Sequence, residues 1–466
     1  MSNPGDADAT PITSTGQLAD WLAAGCKPRS LFRIGTEHEK FGFRDNDLAP
    51  PPYEPAGIKA LLEGLSRYGA GSQFANEVGT RAVPICESGT IIGLRQGRAS
   101  ISLEPAGQLE LSGAPLETLH ETAAEFATHF SQVRAVGRSL GLGFAPLGFH
   151  PLARREEMPW MPKGRYGIMR RQMQRVGSLG LDMMTRTCTV QVNLDFASED
   201  DMARKLRVSL ALQSLATALF ANSPFTEGKP NGFLSYRAHV WTDTDNQRAG
   251  IPRVMMEPGF DFARHVGWLL DSVPMYFVYR DGRYIDVAGR SFRDFLARRV
   301  PELAGIEPTV GDFADHVTTA FPDVRLKRFL EMRGADAGRT DMMVAQSALW
   351  VGLLYDDAAL TAAEALTRDW SWEDVTALRL AVPREGLAAT IAGRALREVG
   401  RDALAIACQG LRARDRRDAD GQDETIYLAP LAAILAGAPG PAEYWLARYH
   451  GDWKGDVRPI FAEAAI

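Results

Sequence analysis

Apolar and polar positions along the chain follow two periods. In 187–196 (TCTVQVNLDF), Cys188, Val190, Val192, Leu194 and Phe196 form one apolar face. Gln191, Asn193 and Asp195 form the opposite, polar face, as expected of a half-buried strand. LFRIGTEHEKFGF (31–43) also reads as a strand, with Glu37 and Glu39 two apart on one side. In 100–113, Ile101, Leu103, Leu109 and Leu111 alternate with Ser102, Glu104, Gln108 and Glu110. Helical spacing starts after Pro115, where Leu119, Ala123, Phe126, Phe130 and Val133 recur every three or four residues. Glu117 and Glu121 suit its first turns; Gly137, Gly141 and Gly143 close it. Further helices are predicted over about 16–24, 58–68 and 199–221, and a strand-rich stretch over 73–112. The Arg- and Met-rich segment 150–186 reads as loop. Beyond about 340 the chain is Ala- and Leu-rich and mostly helical, broken by a solvated charged loop at 412–424.

The economical architecture is one α+β body. Residues 1–15 are expected to form a flexible leader and 16–350 the catalytic body. Residues 351–466 are expected to be mainly helical and packed on that body.

Composition narrows the class. The 466 residues carry 52 Lys+Arg against 58 Asp+Glu, a net charge of −6, which argues against a dedicated nucleic-acid binder. With 45% hydrophobic and 24% charged residues, a sizeable core is expected. No stretch approaches the ~18 consecutive apolar residues of a membrane span, and the N-terminus has neither a hydrophobic signal core nor an Arg-rich transit pattern. Cys26, Cys86, Cys188 and Cys408 lie far apart, without a C-x-x-C pair. These features predict a thiol-reduced, cytoplasmic enzyme with small-molecule substrates and no nucleic-acid or membrane partner.

The polar strand faces carry the chemistry. Solvent faces usually mix Lys, Arg and Thr, whereas these concentrate acids and amides. Any one such strand is accounted for by a sheet with a wet face; several together need a compensating cation. Oxygen donors without a thiolate or histidine cluster point to Mg²⁺, with Mn²⁺ as a substitute. Extended, Glu104 and Glu110 would stand about 20 Å apart, unless Pro105-Ala106-Gly107 turns the chain back. Basic groups complement the acids: Lys163, Arg165, Arg170 and Arg171; Arg237; and Arg325, Lys327, Arg328 and Arg333. Arginine forks match carboxylate and phosphate oxygens in pairs. Glu331 and Arg333, two apart, suit a metal ligand beside a phosphate clamp, or a plain ion pair. There is no P-loop, because Pro230 follows Gly228-Lys229 where Ser or Thr is required. No dinucleotide fingerprint or G-x-S-x-G elbow is present either.

RIGTEHEKFGF, ISLEPAGQLELSGAPLETLHET, MPKGRYGIMR, VGSLGLDMMTRTCTVQVNLDF, TALFANSPFTEGKPNGFLS, VPMYFVYR, FPDVRLKRFLEMRGAD and WVGLLYD occur in order. Together they resemble the plant-type glutamate–cysteine ligase family, found also in proteobacteria. The resemblance implies a curved antiparallel sheet forming a bowl-shaped active site, related to the glutamine synthetase catalytic fold, with helices on its outer face. It implies ATP- and Mg²⁺-dependent joining of the L-glutamate γ-carboxylate to the L-cysteine amine through γ-glutamyl phosphate, the first step of glutathione synthesis. By motif position, Glu37, Glu39, Glu104, Glu110, Gln191 and Glu331 correspond to metal ligands. Arg333, with Glu331, is implied as catalytic, clamping the transferring phosphoryl group, and Asn193 as an ATP-side neighbour. Arg165 and Arg237 are implied to recognise substrate carboxylates, and Tyr276 to belong to the cysteine pocket. The assembly implied is a monomer or homodimer. The alternative is a carboxylate–amine ligase on the same scaffold with another acceptor. Plant members carry a regulatory disulfide; at its two places this chain has Ala123 and Val344, so no thiol switch of that kind is expected.

Overall fold

The computed structural model describes residues 8–68 and 82–466. Residues 1–7 of the expected leader and 73–81 of the expected strand-rich stretch lie outside the described residues.

Among the described residues, nine strands form one sheet. They are β1 (Ile34–Arg44), β2 (Val83–Glu87), β3 (Thr90–Gln96), β4 (Ala99–Leu103), β5 (Leu109–Ser112), β6 (Leu142–Ala145), β7 (Thr189–Leu194), β8 (Val324–Leu326) and β9 (Leu330–Asp336). The order is β8-β9-β7-β1-β5-β4-β3-β2, with β6 on the far half of β1, and every pairing is antiparallel. The expected α+β architecture with a large antiparallel sheet is therefore present. β1 lies centrally because both its faces are buried, which an apolar strand tolerates and a strand with Glu37, His38, Glu39 and Lys40 tolerates only with polar partners on each side.

Helices cover the face opposite the acids. α1 (Leu119–Leu140) sets Phe126 and Phe130 against His38, with ring centroids 4.6 and 4.9 Å away. The helix starts four residues after Pro115. Thr118 caps it and Glu121 reaches back, a reciprocal pair stronger than the proline signal. Gly141, at φ 66°, ends it. α2 (Glu199–Leu219) and α3 (Thr340–Leu354) are buried along most of their length. Thr36 of β1 and Ser347 of α3 share a buried hydrogen bond of 2.8 Å.

The segment 150–186 departs from the expected loop. Gly164–Val176 and Gly180–Arg186 are helices. In the first, Tyr166, Met169 and Met173 recur at spacings of three and four and are buried, while arginines occupy the intervening positions. The high arginine content hid a helical period that three large apolar residues suffice to anchor. Beyond α3 come Asp357–Thr367, Trp372–Glu385, Leu396–Arg414, Ala429–Ala436 and α4 (Pro441–His450). No single helix among the described residues is long and apolar enough to cross a membrane.

Candidate active site

Strand registers bring the acids together. Glu39 of β1 stands opposite Glu110 of β5, which stands opposite Ser102 of β4. One row along, Glu37 lies between Ser112 and Gln191. In the next, Asn193 of β7 faces Glu331 of β9, itself opposite Arg325 of β8. The turn at Pro105-Ala106-Gly107 folds the chain back: Glu104 N donates to Gln108 O at 3.0 Å and Gly107 N to Glu104 O at 2.9 Å. Glu104 and Glu110 therefore meet at one hollow rather than separating along an extended strand. Glu37, Glu39, Glu104, Glu110, Arg165, Gln191, Arg325, Lys327 and Arg333 line it, with Thr318 and Phe321, around about 530 Å³ of open space.

The acidic half, on β1, β4 and β5, is short of counter-charge. Burial, with Glu104 and Glu110 nearby, pushes the Glu39 carboxyl well above its ordinary range. Burial, with Glu104 adding to it, also raises Glu110. Their partners are neutral donors. Thr189 N donates to Glu39 Oε2 at 3.0 Å, Ser112 Oγ to Glu110 Oε1 at 2.6 Å and Asn193 Nδ2 to Glu37 Oε1 at 2.8 Å. Asn193, expected beside the nucleotide, is thus engaged with Glu37.

On the opposite side of the hollow, β8 and β9 carry the cations. Glu331 is fully buried; Arg325 Nε and Arg333 Nη1 donate to its Oε2, each at 2.7 Å, and Lys327 Nζ donates to Oε1 at 2.8 Å. Burial opposes ionisation, but these three cations hold its carboxyl well below the usual range. Glu331, expected among the metal ligands, is here engaged through both oxygens with these cations and anchors the basic wall. Gln191, likewise expected among the ligands, lines the hollow, and its Oε1 accepts from Arg333. Arg333 is the seam between the halves.

A bulge aims that seam. Met332 pairs with Val192 and Ala335 with Val190, so Arg333 and Gly334 together oppose Gln191. A Cβ on Gly334 would fall 2.2 Å from Gln213 Nε2 of α2, so any larger residue there requires the Gln213 side chain to move. The extra residue reverses the alternation, and Asp336 joins Glu331 and Arg333 on the inner side. Strict two-residue alternation assigns Asp336 to the core face, so it was missed; glycine inside a charged strand is the signal that marks such a bulge.

Beside the hollow lies a recess of about 430 Å³ lined by Thr217, Arg237, Trp241, Asp323, Arg333, Gly334 and Arg379, among others. Arg237 is buried; its Nη2 donates to Arg333 O at 2.9 Å and its Nη1 lies 4.0 Å from Asp336 Oδ1. Arg237 Nε and Trp241 Nε1 are buried without a hydrogen-bond partner. Both are donors only, so a group that satisfies them must offer an acceptor atom, as a carboxylate does. Arg379 is held by Asp323 through two hydrogen bonds of 2.7 and 3.1 Å.

Tyr276 is not brought to either cavity. Its ring is buried under Arg248, whose guanidinium carbon lies 3.9 Å from the centroid, because Met275 and Tyr276 precede a hairpin packed into the core. No three carboxylate, histidine or cysteine side chains among the described residues stand close enough to hold one metal ion as they are. The donor chemistry of the acidic half nevertheless fits a hard divalent cation: oxygen ligands only, deeply buried, with mutual repulsion that a cation would relieve.

Residues 33–463 match the profile of glutamate–cysteine ligase family 2. The chain belongs to that family. The chloroplastic glutamate–cysteine ligase of Arabidopsis thaliana is 51% identical over 453 residues, covering 97% of this chain and 83% of that protein. The Nicotiana tabacum enzyme is 50% identical over 455 residues, covering 98% and 83%. A crystal structure of the Francisella tularensis glutamate–cysteine ligase in complex with AMP shares the fold at a TM-score of 0.52 with 11% identity, covering 93% of this chain and 88% of that one. The cytoplasmic location expected from the sequence is contradicted by the plant members, which are chloroplastic.

Proposed function

We propose that this family member is an ATP-dependent ligase that joins the γ-carboxylate of L-glutamate to the amine of L-cysteine, releasing ADP and phosphate. The supporting observation is that an acidic row and a basic row meet across Arg333, with a recess alongside that holds the unpartnered donors of Arg237 and Trp241.

A carboxylate is a poor acyl donor because its leaving group would be oxide. In this reading a γ-carboxylate oxygen attacks the terminal phosphorus of ATP and ADP leaves. The amine nitrogen then attacks the acyl carbon, loses a proton and expels phosphate. Arg333 faces the transferring phosphoryl oxygens; held by Glu331 and Gln191, it needs little reorganisation as charge shifts. Arg237 Nε and Trp241 Nε1 receive a glutamate carboxylate in the recess, orienting the γ-carboxylate toward the hollow. Arg165 adds positive charge at the opposite wall. Glu37, Glu39, Glu104 and Glu110 would hold Mg²⁺ or Mn²⁺, which when bound neutralises phosphate charge.

The test is steady-state ADP formation with substrates omitted one at a time. Turnover that requires glutamate, cysteine and Mg²⁺ together is expected; turnover without glutamate overturns the reading. An amine panel reads the acceptor. 2-Aminobutyrate, nearly isosteric with cysteine, should be used to some extent; alanine used equally well would remove cysteine as the acceptor.

A further inference from the structure

Asp336 lies behind Arg237 and is itself held from a distance. Its carboxylate is buried and accepts from Asn222 N at 2.8 Å, Ser223 Oγ at 2.6 Å and Ser235 Oγ at 2.8 Å. Ser223 Oγ also accepts from Arg237 N at 3.1 Å, and Ser235 caps the short helix Tyr236–Val240 that carries Arg237. The carboxylate occupies a space cut to fit: a Cβ on Gly148 would fall 2.4 Å from its Oδ2. Asn222 is fixed in turn. Its Nδ2 donates to Ala337 O at 2.7 Å and Pro146 O at 3.3 Å, and its Oδ1 accepts from Trp445 Nε1 at 2.8 Å. Trp445 sits on α4, stacked on Trp453 with ring centroids 5.7 Å apart. No residue of α4 is among those lining the hollow or the recess.

A hydrophobic anchor alone would leave the indole nitrogen in any apolar setting. Here it ends a buried run of hydrogen bonds, Trp445–Asn222–Asp336, whose carboxylate forms an ion pair with the Arg237 guanidinium at 4.0 Å. Such chains specify one geometry, because a missing member strands its neighbour's polar atom.

We infer that Asn222 and Trp445 are positioning residues for substrate binding: through Asp336 they fix the Arg237 guanidinium at the recess wall. The C-terminal helix α4 thereby contributes to a site it does not touch. This rests on the reading of Arg237 as the group that receives a glutamate carboxylate.

The experiment is a double-mutant cycle on the full chain, reading KM for glutamate, KM for ATP and kcat. Trp445→Phe keeps the stacked ring and removes only the donor. It should raise KM for glutamate about tenfold, with kcat and KM for ATP within about twofold. Arg237→Lys should raise the same KM, and in the Arg237→Lys background Trp445→Phe should add no further rise. Additive effects, or a loss shared by kcat and both KM values, would mark Trp445 as structural only and overturn the inference. If Trp445→Phe proves unstable, Ser235→Ala gives the same readout nearer the carboxylate, and an unchanged KM there overturns it equally. An Arg237→Lys enzyme with normal KM for glutamate would instead overturn the parent reading, and the inference with it.

Discussion

The two walls of the hollow are both rich in charge, and they solve burial in opposite ways. On β8 and β9 one carboxylate serves three cations, every charge has a partner at hydrogen-bond distance, and Glu331 is held ionised. On β1 and β5 and in the turn after β4, carboxylates face one another; Glu37, Glu39 and Glu110 accept from the neutral donors Asn193, Thr189 and Ser112, and burial with mutual repulsion drives Glu39 and Glu110 toward the protonated form. The first wall is complete as it stands, with surplus positive charge directed inward; the second is incomplete until a cation arrives. A site built this way is poised for a polyanion and a metal together, rather than for either alone.

The difference predicts opposite responses to neutralisation. Arg333→Ala removes the seam, and kcat should fall about a thousandfold with the fold retained, measured by stopped assays beside circular dichroism. Glu331→Gln strands three cations and should cost about 3 kcal/mol of stability in denaturant unfolding. An unchanged midpoint for Glu331→Gln would show that the basic wall does not depend on its anchor. Glu39→Gln, on the other wall, relieves repulsion: without divalent ions its Tm should rise by roughly 2 °C while turnover collapses. A lower Tm would mean that the acids are compensated in some other way.

The smallest expected effect lies behind the acidic wall. Glu125 of α1 accepts from Ala114 N at 2.8 Å and has no cation partner among the described residues, and burial raises its carboxyl from 4.5 to about 7. The folded protein therefore keeps this proton where the unfolded chain has lost it. The stabilising preference is full below pH 4.5 and is lost as pH rises through about 7. Glu125→Gln keeps the acceptor oxygen. It should match the wild type near pH 4.5 and gain about 2 kcal/mol near pH 8. Parallel stability curves for the two proteins would contradict this.

Much of this arrangement was legible in the sequence. Alternation alone puts Glu37 with Glu39 and Gln191 with Asn193 on single faces, because strand geometry leaves no choice. The turn chemistry of Pro105-Ala106-Gly107 was equally readable, and with it the return of Glu104 to Glu110. What alternation does not reveal is partner and register. Glu331 reads equally as a metal ligand or as half of an ion pair with Arg333, and only the β8–β9 hairpin brings Arg325 and Lys327 to it. Asp336 is hidden by a bulge that inverts its side, and Tyr276 by packing between elements remote in sequence. The helix carrying Arg165 was obscured by its own arginines, whose aliphatic stems pack as readily as their charges project.

Mn²⁺ titration followed by electron paramagnetic resonance, without nucleotide, tests the division of labour between the two walls most directly. The account predicts Mn²⁺ binding by the wild type and by Arg333→Ala, with loss of at least tenfold in affinity for Glu39→Gln. Equal Mn²⁺ affinity in Glu39→Gln and wild type, or loss of binding in Arg333→Ala alone, would contradict it.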